Sequence, residues 1–240
     1  MKTTLETLAV ELEESQRQWT AGEIPVLTAA ITLPQCSRMQ PGRIPRRLNR
    51  YYRQCARSFL SYCSHDLYPR ALAEFEDACR SGAPLPCGKA SLVCTITCNQ
   101  AGIFSLYADC TEWAGTKDAL TLRRADTWDL ADGMPVAAQD CFARGTRLRA
   151  LCMRSALRVC EQQQRAGMAV YAEKLSARLR RYFSPRNFYL SGEGFHFFYQ
   201  PDTIAPAREG CPTFFLPFSE EGGPFWPGRS CTCNPSEIVV

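Results

Sequence analysis

An α+β fold, with helices packed on one face of an antiparallel sheet, is predicted by three features of this 240-residue sequence. Apolar residues alternate at period two in several short segments spread along the chain. They recur at spacings of three and four in two longer stretches. The resulting order, strand, helix, hairpin, strand, two helices, hairpin, strand, groups strands with strands rather than alternating them with helices.

The elements follow in order. "MKTTLETLAVELEESQRQW" is acidic, and residues 1–23 read as a helical or frayed lead-in. "IPVLTAAITLPQC" places Leu27, Ala29, Ile31 and Leu33 at period two, a strand. In "RIPRRLNRYYRQCARSFLSYC", Leu48, Tyr52, Cys55, Phe59 and Tyr62 define a helix, with Pro45 in its first turn. The pattern resumes as Tyr68, Leu72, Phe75 and Cys79, with a break expected at Pro69. "SLVCTITC" and "IFSLYADC" alternate on either side of "NQAG", a hairpin. "LTLRRADTWDLADGMPVAAQDCF" continues as a strand ending in an Asp132-Gly133 turn. Leu148, Leu151, Cys152 and Val159 mark a helix that Gly167 interrupts; Leu175, Leu179 and Tyr182 mark another. "FYLSGEGFHFF" is a hairpin and "TFFLPF" a last strand. The domain is therefore expected over 24–221, with a flexible Gly/Pro/Cys tail over 222–240.

Composition narrows the class. An apolar share of 45% suffices for an ordinary core. No run approaches the ~18 apolar residues of a membrane span, and the N-terminus is too acidic for a secretion signal. The chain therefore reads as cytoplasmic, with no membrane partner. In that setting most of the fourteen cysteines are expected to be buried, reduced apolar residues rather than a disulfide framework.

Few residues carry chemistry. The two histidines are His65 and His196. A hydrolase-type Cys/His site remains the alternative reading, since partners meet in space. No nucleophile elbow is present, however, and His196 lies in a strand between Phe195 and Phe197, sharing a face with Gly194 and Phe198. Glu193 and Asp202 are expected to be solvated turn acids rather than a catalytic pair. Cys94 and Cys98 sit about 13 Å apart along a strand, too far for one zinc ion. Cys231 and Cys233 are expected to be exposed tail thiols. Phosphate-binding glycine loops are missing. The expectation is no catalytic residue, no cofactor and no metal.

One surface stands out. Twenty-four of the 28 basic residues are arginine, and the net charge is +4. At about 100° per residue, Arg46, Arg50, Arg53 and Arg57 fall within roughly 60° of one another on the first helix. They oppose Leu48, Tyr52, Cys55 and Phe59. Such a stripe is either a plain solvated face or a grip for an acidic protein surface or nucleic acid. No aromatic interleaves it, so nucleic acid is the least favoured of these.

"NFYLSGEGFHFFYQPDTIAPAREGCPTFFLPFSE", residues 187–220, resembles the C-terminal signature of the RsiV-like domain family, long a domain of unknown function. Asn187, Phe188, Tyr189, Leu190, Gly194, Phe197, Tyr199, Ile204, Ala205, Pro206 and Gly210 match, and Leu216-Pro217-Phe218 stands in for the closing strand. "TWDLADGMPVAAQDCF" resembles the family's strand and turn before the main helix. The resemblance covers roughly residues 24–220. It implies an α+β binding or sensing module without catalytic residues. The best-known member is an anti-sigma-factor ectodomain that binds lysozyme, and other members precede a polysaccharide deacetylase domain. Here Ala114-Gly115-Thr116-Lys117 replaces the family's glycine-rich, histidine-containing element, and Ala207 replaces a tyrosine. Lysozymes are generally basic, as is this chain, which disfavours a lysozyme partner.

Overall fold

A computed structural model describes residues 6–113, 119–219 and 223–227. The chain folds as α+β, in two sheets. The larger has six strands in sequence order: β1 (Val10–Ala21), β2 (Ile24–Cys36), β3 (Gly88–Gln100), β4 (Ile103–Trp113), β5 (Leu120–Asp129) and β6 (Met134–Pro135). The smaller has β7 (Phe188–Leu190), β8 (Gly194–Phe198) and β9 (Thr213–Pro217). All neighbours are antiparallel except β2 and β3. Those two are parallel because α1 (Arg43–Tyr62) and α2 (Tyr68–Ser81) carry the chain back between them. The uniformly antiparallel sheet expected from the sequence is thus corrected at one junction.

The lead-in is corrected too. Residues 10–21 form β1, paired with β2 along its whole length. Residues 11–18 are all exposed, so no core-facing alternation marks the strand. Exposed charge along a sheet edge also discourages pairing with another chain.

Helices lie on both sides of the large sheet rather than on one. On the first side α1 and α2 cover Leu27, Ala29, Ile31, Leu33, Ala90, Cys94, Leu106 and Trp128. Between them residues 63–67 form a single π-helical turn, placing Pro69 at the start of α2, where its missing N–H costs nothing. The wider turn moves the buried face to Ala71, Phe75 and Ala78 and leaves Cys79 exposed. On the second side α3 (Leu148–Arg165) and α4 (Leu175–Tyr182) pack with Phe188, Leu190, Phe195, Phe197 and Phe214 of the small sheet into a separate core.

The two sheets meet through hydroxyl groups. Thr97 Oγ1 donates to the Leu190 carbonyl at 2.7 Å, and the Leu190 N–H donates to Ser105 Oγ at 2.9 Å. Ser105 in turn bonds Thr127 at 2.8 Å with both side chains buried. These bonds fix β7 across β3, β4 and β5 and leave its polar backbone satisfied. A bulge between Ile96 and Cys98 separates the two cysteines expected on one face: Cys94 enters the core under α1 and α2, and Cys98 the core with α3 and α4.

At the C-terminal end, residues 223–227 are docked, although the sequence suggested a flexible tail. The Phe225 N–H donates to the Cys141 carbonyl at 2.8 Å, and Trp226 Nε1 to the Ala101 carbonyl at 3.0 Å. Among the described residues no helix is long and apolar enough to cross a membrane. Ala114–Lys117, Cys231 and Cys233 lie outside the described residues.

Candidate functional site

The position of α1 decides what its arginines can do. Asn49 fixes its first turns: the side-chain amide accepts from the Cys36 N–H at 2.7 Å and donates to the Cys36 carbonyl at 3.0 Å. One turn on, the Tyr52 hydroxyl accepts from Trp128 Nε1 at 3.0 Å, and the Tyr51 hydroxyl donates to Asp126 at 2.9 Å. With Leu48, Tyr52 and Phe59 buried against the sheet, the opposite face must point to solvent. Arg46, Arg50, Arg53 and Arg57 are all exposed, as the wheel requires. Among the described residues none of the four lies within 4.0 Å of a carboxylate oxygen. Arg53 donates to the Asn49 carbonyl at 3.1 Å and shares a hollow of about 130 Å³ with Glu13.

On the other flank of α1 lies a cavity of about 470 Å³ that the sequence did not reveal. Tyr51, Cys55, Cys94, Cys110, Arg124 and Asp126 line it, brought together from α1, β3, β4 and β5. Burial raises the Asp126 pKa against the lowering effect of Arg124, which lies 3.4 Å away. Three of its polar groups, Tyr51, Asp126 and Arg124, bond one another, so these three hold helix to sheet more than they offer themselves to a ligand. Burial pushes the Cys94 thiol up to about 12 and Cys55 to about 11, so neither is an activated nucleophile.

His196 is packed. It pairs directly with Tyr189 and Phe215, and its ring is stacked on Tyr189 at 4.8 Å and 7°. Phe215 lies 4.8 Å away on the other side. Nε2 meets the Ser191 hydroxyl at 3.0 Å. No described cysteine hydrogen-bonds either histidine ring; His65 Nδ1 sits 2.8 Å from the Ser61 carbonyl oxygen on the exposed π turn. Glu193 and Asp202 are exposed turn residues, Asp202 at φ 60°. Among the described residues no group of three or more His, Cys, Asp or Glu side chains is arranged to hold a metal ion.

The packing of His196 has a measurable consequence. Burial lowers its pKa below the usual 6.5, with Glu193 opposing the shift only in part. Between the two pKa values the unfolded chain binds more protons, so stability rises with pH there and is lost as pH falls below about 6.5. His196→Phe keeps the stack and removes the titration. Urea midpoints at pH 7 and pH 5 should therefore differ less for the variant than for the parent protein.

With this geometry in place, the chain can be set beside known proteins. The profile of a family described as "Protein of unknown function (DUF3298)" matches residues 161–219, the segment from the end of α3 through β9. A DUF3298 family protein from Bacteroides fragilis has a similar fold, with a TM-score of 0.65 at 15% identity over 89% of this chain and 92% of that one. Another from Pseudomonas aeruginosa superposes with a TM-score of 0.55, again at 15% identity, over 88% and 90%. At that identity the likeness is one of fold. A search of curated protein sequences finds no match.

Proposed function

We propose that this chain is a non-catalytic, cytoplasmic binding module that grips an acidic protein surface through the α1 arginines. One observation carries the reading: Arg46, Arg50, Arg53 and Arg57 project together into solvent with no carboxylate partner among the described residues. Four like charges in line repel one another, and a complementary acidic surface relieves that repulsion. The resemblance of residues 187–220 to the RsiV-like domains supports a binding role. The positive charge speaks against lysozyme as partner. The Cys/His alternative is less well supported, because His196 sits between two rings and the buried thiols are held protonated.

The test compares the parent protein with an Arg46→Glu/Arg50→Glu/Arg53→Glu/Arg57→Glu variant as bait in cytosolic extract at low and high salt. The stripe is exposed, so the variant should melt within a few degrees of the parent. The expected result is an acidic partner retained at low salt, released at high salt, and bound at least about tenfold more weakly by the variant. A partner retained equally by both proteins, or indifferent to salt, sinks the reading.

A further inference from the structure

A second basic surface lies on the opposite side of the large sheet. Between α3 and α4 the chain leaves a cleft of about 1100 Å³. Arg147, Arg149 and Arg154 line it from the start of α3, and Arg180 and Arg181 from the end of α4. Lys174 extends the charge into an adjoining hollow of about 800 Å³ that shares Arg149, Arg180 and Arg181. No aspartate or glutamate lines either space. Among the described residues none of these six cations lies within 4.0 Å of a carboxylate oxygen.

Two details distinguish the cleft from a solvated face. Lys174, the N-cap immediately before α4, has φ 53°, a left-handed conformation that is strained for a residue with a side chain. Arg149 donates to the carbonyl of Arg180, tying the two walls together so that the cations stay converged. The repulsion among them is a cost, and no described carboxylate lies within 4.0 Å to offset it.

The floor narrows the ligand class. Met153, Leu157 and Phe183 are partly exposed among the arginines, with Leu148 and Leu179 buried behind them. A phosphate chain or nucleic-acid backbone would use the cations and leave this apolar floor uncovered. An amphipathic helix with acidic flanks uses both: apolar residues at i, i+3, i+4 and i+7 fill the floor while carboxylates meet the guanidinium rim. We propose that the α3–α4 cleft is a docking groove for an acidic amphipathic helix of a partner protein. This rests on the reading of the chain as a module for acidic protein partners, though not on the α1 stripe.

The experiment uses a displayed library of 16-residue peptides. Leu, Ile, Phe and Met vary at i, i+3, i+4 and i+7, and Asp or Glu fills most other positions. A second library has the same composition with the spacing shuffled. The full chain is the target, beside an Arg154→Glu/Arg181→Glu cleft variant, an Arg147→Glu/Arg154→Glu variant that leaves α4 untouched, and the fourfold α1 variant. Every substituted side chain is exposed, and melting curves confirm folding. The expected result is enrichment of patterned over shuffled peptides. Enriched peptides should bind either cleft variant at least about tenfold more weakly and the α1 variant unchanged. No enrichment, equal enrichment of both libraries, or cleft variants that bind normally would overturn the proposal. So would displacement by polyphosphate or a single-stranded oligonucleotide at lower charge concentration than the peptide. Loss confined to the α1 variant would overturn the groove while leaving the α1 reading standing.

Discussion

Gly194→Ala is expected to lower the unfolding free energy by about 3 kcal/mol, a large share of a domain's stability. The cause is space, not backbone conformation. A Cβ at this position would lie 2.3 Å from the Leu216 carbonyl oxygen, 2.6 Å from the Phe215 ring and 3.0 Å from Pro217 Cα. Two of those three atoms are main chain, so β9 itself must move. It cannot move freely: just past its end the Phe218 N–H donates to the Glu193 carbonyl at 3.0 Å, and just before its start the Pro212 carbonyl accepts from the Tyr199 N–H at 2.9 Å. Displacing β9 also pulls Phe215 from His196 and Phe214 from Phe197, its stacking partner at 5.3 Å. Gly192→Ala, two residues away, is the control. There the close atom is Gln100 Nε2 at 2.9 Å, the free end of a flexible side chain that can swing aside. Urea unfolding should separate the two, with Gly192→Ala within about 0.5 kcal/mol of the parent protein. Equal, small effects at both positions would show that β9 is loosely held.

The same hairpin shows where sequence reasoning reaches. Period-two spacing located β2, β3 and β4; the β7–β8 hairpin was read from its glycine turn, and His196 was placed on the face of Gly194 and Phe198 because strand side chains alternate, although both faces of β7 and β8 are buried. The arginine stripe was legible for the matching reason: a helix with Leu48, Tyr52 and Phe59 inside must send Arg46, Arg50, Arg53 and Arg57 outside. β1 was not legible, since residues 11–18 are exposed and no apolar period exists to read. The parallel β2–β3 junction was implied by the helices between the strands, but alternation alone says nothing about direction. Cys98 left its expected face at a one-residue bulge, which reverses every later side chain and leaves no mark in composition. The α3–α4 cleft escaped notice because its cations come from two helices. Arg154 and Arg181 are 27 positions apart, and only packing makes them neighbours.

Trp128→Ala should cost more still, about 4 kcal/mol, because it empties the joint that seats α1 on the sheet. Trp128 is 4% exposed and lies edge-on to Tyr51 at 5.0 Å and 77°. Its Nε1 donates to the Tyr52 hydroxyl at 3.0 Å. Burial, with a smaller contribution from Asp126, raises the Tyr52 pKa well above that of a free phenol, so the hydroxyl stays neutral. Three substitutions separate volume from hydrogen bonding. Trp128→Phe keeps much of the ring contact but leaves the Tyr52 hydroxyl without its donor, at about 2 kcal/mol. Tyr52→Phe leaves the indole N–H without an acceptor at comparable cost. The double variant removes both polar ends together, so its loss should fall short of the sum by about 1 kcal/mol. Strict additivity would mean the bond contributes nothing and α1 is seated by apolar contact alone. Since α1 carries the stripe, Trp128→Ala should also weaken acidic-partner binding under conditions where most molecules remain folded. The exposed-surface variants, by contrast, should lose binding without losing stability. That opposite pairing of effects separates a residue that positions the arginines from the arginines themselves.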